Sequence, residues 1–399
     1  MTIKAFTHTA LIASMFLTTS NTLFADDLAI TTPASGTVIV NPTNRRFGYS
    51  DLVIHNIGIS NLGDHRQTIS GVQIDILSEE GIIASKHIAP TRLISDTGQL
   101  AGSPLPIFKA MQLLNTDGVA GFLGQDIQLS RTPDLEPGNG VITSRHQLSF
   151  DGPANDVQIT VHFIDGEGNQ GSSSELIPVT PHKSTIAYSV PVAGAWLMRA
   201  LPDIESHHRL NASTEFAVDF FKLDSEGRTH TGDRIVAENY LGYSQPVFAA
   251  ADGTVVHVEK TAVQDRTAYA PRDGETRQQM GQRLQQAMMQ AFSQDARKAA
   301  GGNLVTIRHE AGGQVEYSSY GHLMTGSVKV SVGDLVTAGD VIGAVGDTGD
   351  SPEVHLHFQV NTGPDAFMSK SLPVTFSNIT HAVRPAEPGL MINSSAATD

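Results

Sequence analysis

One stretch constrains this chain more than any other. It runs from Tyr317 to Val360, YSSYGHLMTGSVKVSVGDLVTAGDVIGAVGDTGDSPEVHLHFQV, and closes on His355-Leu356-His357. A third histidine, His322, lies upstream in the same stretch. Side chains at i and i+2 of a strand point to one face, and HLHFQV has the mixed polarity of a strand. Both imidazoles are therefore expected to project together, which is the beginning of a zinc site. The triplet alone is weak evidence, because 16 histidines in 399 residues give roughly 0.6 such pairs by chance. The run before it is more telling. GDLVTAGDVIGAVGDTGDSPE reads as short apolar strands punctuated by Gly-Asp turns, leading directly into the pair.

The rest of the composition narrows the chemistry. There is no cysteine, so disulfides, thiolate zinc sites and cysteine nucleophiles are excluded, and any metal must be held by His, Asp or Glu. The formal charge of −15, with no basic run interleaved with aromatics, argues against nucleic acid as a partner. It also argues against charge attraction to anionic membranes or polyanionic wall polymers as the main binding force. Residues 1–25 read as a secretory signal peptide, one Lys followed by an apolar stretch that ends at Leu23-Phe24-Ala25. No later window has the roughly 20 apolar residues of a membrane span. The expectation is an exported protein, periplasmic or extracellular.

In chain order, residues 27–185 read as all-β. LVIHNIGIS, VQIDILS and VQITVHFID alternate with the strand period, and one helical patch, IFKAMQLLN, interrupts them. Short strands without helical crossovers point to a β-sandwich, immunoglobulin-like. Its histidines (His55, His65, His87, His146 and His162) share no spacing and read as ordinary surface or core residues. A connector over 179–194 leads into the second domain, 186–385. There FAVDFF is a strand with Asp219 in its middle; a buried carboxylate needs a cation or several donors. His207 and His208 lie upstream, on a loop returning to that strand. Residues 261–300 break the β pattern with an amphipathic helix carrying Met280, Leu284, Ala287, Met288, Ala291 and Phe292 at helical spacing. That stripe either packs on the domain wall or forms a lid or docking helix beside a groove. The tail, 386–399, reads as loose.

The order VPVAGAW, HHR, AVDF, PVFAAADGTVV, YGHL, GDTG, HLHF resembles the lysostaphin/LytM-type zinc metalloendopeptidases, which are peptidoglycan hydrolases. The resemblance covers roughly 189–362. It implies a duplicated-hybrid-motif, β-barrel-like peptidase domain, here with an inserted helix, and Zn2+ as the cofactor. It implies His208, Asp219 and His357 as metal ligands, with His207 as the alternative to His208 because the eleven-position gap to Asp219 fits only one branch of the family. It implies His322 and His355 as the catalytic histidines, with their roles as base and acid left open. Three such ligands leave zinc one open position. HExxH, with its Glu base, is absent. Gly346 and Gly349 either shape a loop bordering the groove or mark plain hairpin turns.

The implied function is hydrolysis of peptide bonds in peptidoglycan, in cross-links or stem peptides. The competing reading is a non-catalytic envelope protein that binds wall or activates another hydrolase; relatives of that kind usually lack ligands, and here every position is filled. A lipoyl- or biotinyl-carrier module needs a modifiable Lys in an exposed turn, and none lies between Ser331 and Val354.

Overall fold

The structure, a computed structural model, describes residues 27–33, 38–44, 49–199, 206–264, 266–383 and 390–395. The expected leader lies outside these residues. The chain is mainly β and builds a large core in each half, with a third small cluster under the N-terminal helices.

The N-terminal half is two facing sheets. One has the order Leu28–Thr31, Tyr49–Asn61, Asn139–Asp151, Gln128–Leu129. The other runs Val38–Ile39, Gln170–Thr180, Asp156–Asp165, Gln67–Ser78, Gly81–Ile88. Alternating side chains such as Ile69, Val72, Ile74 and Val157 fill the space between them. The apolar pattern changes phase along Tyr49–Asn61: Leu52 and Ile54 face the core, then Ile57 and Ile59 do. The change sits beside Arg145, which has φ 64° on the neighbouring strand. Three helices, Pro90–Ala101, Pro106–Leu113 and Gly118–Leu123, lie between Gly81–Ile88 and Gln128–Leu129, where the sequence pattern signalled one.

Apart from a separate ribbon of Pro246–Phe248 and Val341–Ala344, the C-terminal half is built on one long sheet. Its order is Leu335–Val336, Gly253–Glu259, Asn303–Ala311, Gln314–Leu323, Leu356–Asn361, Val218–Phe221, Gly194–Arg199, Leu390–Ser394, Ile379–Val383. Trp196, Phe216, Phe220, Tyr320 and Phe358 are among the aromatics of its core. The expected loose tail is corrected here, because Leu390–Ser394 pairs with Gly194–Arg199 on one side and Ile379–Val383 on the other. Ile392 is buried by that pairing, so the Pro/Ser/Ala-rich composition concealed a strand that an open sheet edge recruits.

The inserted helix spans Arg277–Gln294, and its N-terminus is closed by a capping box of Thr276 and Gln279. None of its residues is buried, so the Met-rich stripe does not pack into the domain wall. Instead Phe292 meets Phe108 of the N-terminal half, ring centroids 5.1 Å apart.

Candidate metal centre

The centre forms where two adjacent strands and one loop converge. Asp219 and His357 are register partners on Val218–Phe221 and Leu356–Asn361. Val218 and Phe220 point into the core, so Asp219 takes the opposite face. Its carboxylate is buried and accepts from His357 Nδ1 at 3.0 Å and from His208 Nε2 at 3.1 Å. His208 comes from the short 3-10 turn His207–Leu210, whose first amides are capped by the Ser206 hydroxyl. His207 is mostly exposed and lies 3.8 Å from Asp219, outside hydrogen-bond reach. His207, His208 and Asp219 offer donor atoms within 4.8 Å of one another. His357 joins from the other side of the carboxylate, since it and His208 approach the two different oxygens of Asp219.

The other two histidines flank this set. His355 precedes the strand, where it bridges to Gly346, and its Nε2 lies 3.7 Å from Asp219 Oδ1. Its Nδ1 donates to the Glu353 carbonyl at 2.9 Å, and its ring stacks on Phe221 at 5.0 Å. His322 has φ 60°, uncommon for a non-glycine residue and a form of strain that collects at functional sites. Its Nδ1 donates to the Thr348 carbonyl at 2.8 Å, and its ring lies 4.7 Å from that of His355. With Nδ1 committed in both rings, the neutral tautomer leaves Nε2 as the free basic nitrogen.

Two supporting features carried little sequence signal. Gln359 accepts from His357 Nε2 at 2.7 Å and is itself anchored through the Ala366 carbonyl. This orients the His357 ring, as partners behind metal-binding histidines do. Its signal was its place two residues after His357 on the same strand face. The GDTG loop supplies Thr348, whose hydroxyl donates to the Leu323 carbonyl at 2.8 Å. The loop lies tight against Gly302, and Asp347 is fixed by Arg266 at 2.6 Å. Gly346 and Gly349 therefore border the site rather than marking plain hairpins.

The electrostatics suit a cation. Burial pushes the Asp219 carboxyl up, but His355, His208 and His357 together outweigh it and hold the group well below the usual carboxylate range. Burial pushes His208 and, more strongly, His322 below the ordinary imidazole value. His357 is also pushed down by burial, yet its bond to Asp219 raises it overall. An ionised carboxylate with two imidazoles is a hard-and-borderline donor set of the kind zinc takes, without thiolate.

These groups open onto a cavity of about 530 Å³. His208, His322 and His357 line one wall, and Phe108 and Arg145 of the N-terminal half line another. Phe292 of the inserted helix completes the rim.

Residues 284–368 match Peptidase family M23. The chain carries an M23 peptidase domain. Members of this family are typically zinc peptidases that hydrolyse peptidoglycan. The matched span contains His322, His355 and His357 but starts beyond His208 and Asp219, which the sheet brings back to it. Solved structures similar to the chain include the catalytic domain of lysostaphin from Staphylococcus simulans, 19% identical over 48% of this chain and 86% of that one, with a TM-score of 0.23. A zinc-containing peptidase from Vibrio cholerae is 12% identical over 83% of this chain and 82% of that one, TM-score 0.24. A putative M23 peptidase from Pseudomonas aeruginosa is 15% identical over 57% and 80%, TM-score 0.26. No curated protein matches the chain.

Proposed function

We propose that the chain is an exported zinc metalloendopeptidase that hydrolyses peptide bonds of peptidoglycan, in cross-links or stem peptides. The observation that carries this reading is the Asp219 carboxylate between His208 and His357, with His322 and His355 beside it. His208, Asp219 and His357 would hold zinc. When bound, zinc supplies Lewis acidity at the scissile carbonyl and lowers the pKa of a water to about 7.

The chain's own groups do the rest. His322 and His355 divide the proton transfers. One Nε2 takes the proton of the attacking water; the other ring, protonated, steadies the oxyanion and then protonates the leaving amine. Their Nδ1 bonds to the Thr348 and Glu353 carbonyls keep both rings turned for this. Arg145 is exposed and makes no ion pair among the described residues, so its guanidinium on the cavity wall is available to a substrate carboxylate.

The N-terminal half is read as an immunoglobulin-like sandwich. What supports this is the sheet order of its strands, with Tyr49–Asn61 paired to Asn139–Asp151 in one sheet and the hairpins Gln67–Ser78/Gly81–Ile88 and Asp156–Asp165/Gln170–Thr180 joined in the other. The helices inserted before Gln128–Leu129, and the parallel pairing of that short strand with Asn139–Asp151, depart from that plan. Export rests on the sequence of residues 1–25 alone; among the described residues no helix is long and apolar enough to cross a membrane.

Digestion of purified sacculi with and without a chelator, with mass spectrometry of the released fragments, tests the proposal. Release of new amino termini that stops on chelation and resumes with zinc is expected. Intact sacculi in the presence of zinc would remove the peptidase reading for this substrate.

A further inference from the structure

Outside the histidine cluster, the densest set of buried charge joins the two halves of the chain. Arg209, the residue after His208, is fully buried. Its guanidinium donates through Nη1 to Glu215 and through Nη2 to Asp51. Glu215 belongs to the loop that runs from His208 to Asp219, but Asp51 belongs to the N-terminal strand Tyr49–Asn61 and is also fully buried. From the same strand, His55 Nε2 donates to the second oxygen of Glu215 at 2.7 Å. Asp51 is held in turn by Asn41 at 2.9 Å and Gln147 at 3.1 Å. The Arg209 guanidinium also lies over the Phe216 ring, 5.2 Å from its centroid.

The placement of this network is what matters. His208 and Asp219 are the two ends of a loop that, between Asn211 and Ala217, has no strand ladder to fix it. Arg209 and Glu215 lie near those two ends and bond to each other, closing the loop on itself. Both are then fastened to the sandwich. A planar guanidinium forked between two carboxylates fixes direction as well as distance. Docking two domains does not require it, since an apolar contact of similar volume commonly does as well as a buried ionic one. The arrangement has a geometric purpose, which is to set where His208 points.

We propose that Asp51 and His55 of the N-terminal sandwich are positioning residues of the metal centre. They hold Arg209 and Glu215, and through them seat His208 against Asp219. The sandwich is then part of the metal site, although it contributes no ligand. This inference rests on the reading of His208, Asp219 and His357 as the zinc-holding set.

The test uses the full chain, with Asp51→Asn and His55→Ala compared with wild type. Zinc affinity is measured by chelator competition, and amide hydrogen exchange is followed in the metal-stripped protein. Removing a partner behind a metal ligand lowers metal affinity about 10–100-fold. Asp51→Asn is expected to show that loss, with faster exchange over 206–217 and unchanged exchange in Leu356–Asn361. His55→Ala is expected to show the same pattern more weakly. Ile74→Val, which trims the sandwich core away from the network, is the control: it lowers the melting temperature and leaves zinc affinity unchanged. The proposal is overturned if both network variants bind zinc within about twofold of wild type, or if Ile74→Val weakens zinc as much as Asp51→Asn does. Absence of zinc binding by the wild type sinks the peptidase reading instead. The exchange of 206–217 in stripped protein still decides whether the sandwich fixes the loop.

Discussion

Replacing His322 separates turnover from metal binding. Asparagine is the informative substitution, because it tolerates the positive φ of this position and its amide can donate to the Thr348 carbonyl as Nδ1 does. Alanine would keep the strained backbone and leave that carbonyl short of a partner. The His322 ring centroid lies 5.9 Å from that of His357 and makes no hydrogen bond to Asp219, so the donor set survives its removal. What is lost is a general acid–base group, about 10²–10⁴ in rate. That corresponds to about 2.7–5.4 kcal/mol of barrier at about 1.36 kcal/mol per decade. His322→Asn is therefore expected to retain one zinc per chain by elemental analysis, to melt within a few degrees of wild type, and to lose kcat by that factor on sacculi. A kcat within about tenfold of wild type, or zinc lost in step with activity, would refute the assignment.

Three further outcomes are expected. Asp219→Asn and His357→Ala should each abolish stoichiometric zinc and cleavage together, whereas His207→Ala should leave both nearly intact, since its exposed ring stands off from Asp219; elemental analysis of the three variants decides between the adjacent histidines. Gly302→Ala should lower the melting temperature and kcat while sparing zinc, because at φ 63° its Cβ would sit 2.3 Å from the Thr348 carbonyl that anchors His322. His146 gives a pH dependence away from the metal: burial and then the Lys86 charge lower it from 6.5 to about 4. Between those values the unfolded chain binds a proton that the folded chain refuses, so stability rises with pH across this window. Acidification through it should remove about 3 kcal/mol. Melting curves from pH 7 to 4 should flatten in His146→Gln, and an unchanged slope would assign the acid sensitivity elsewhere.

The parts of the site that are local in sequence were legible. His355 and His357 both turn toward Asp219, as the i, i+2 spacing suggested, although His355 sits just before the strand, and His322 lies near the end of a neighbouring strand. Asp219 was readable as a carboxylate out of place in an apolar strand. The choice between His207 and His208 was not, because both lie on a loop whose shape is set by Arg209 reaching Asp51, 158 residues away in the chain. For the same reason His55 passed for an ordinary sandwich histidine. Thr348 acts through a backbone carbonyl, which leaves no pattern, and the only sign of Gln359 was its place two residues after His357. The strand Leu390–Ser394 was hidden because its stability comes from the partners on either side rather than from its own residues. The inserted helix was correct in position; of the two readings of its apolar stripe, burial against the domain wall is not what the structure shows, because none of its residues is buried.

The contact between Phe108 and Phe292 has a consequence for how a polymer gains entry. It closes the rim with one ring from each half of the chain, and an aromatic pair of this kind is worth about 0.5–1.5 kcal/mol beyond its area. A contact of that size is small enough to be exchanged for contacts to an entering chain. A peptide strand that wedged the two rings apart would repay their separation with its own contacts to them.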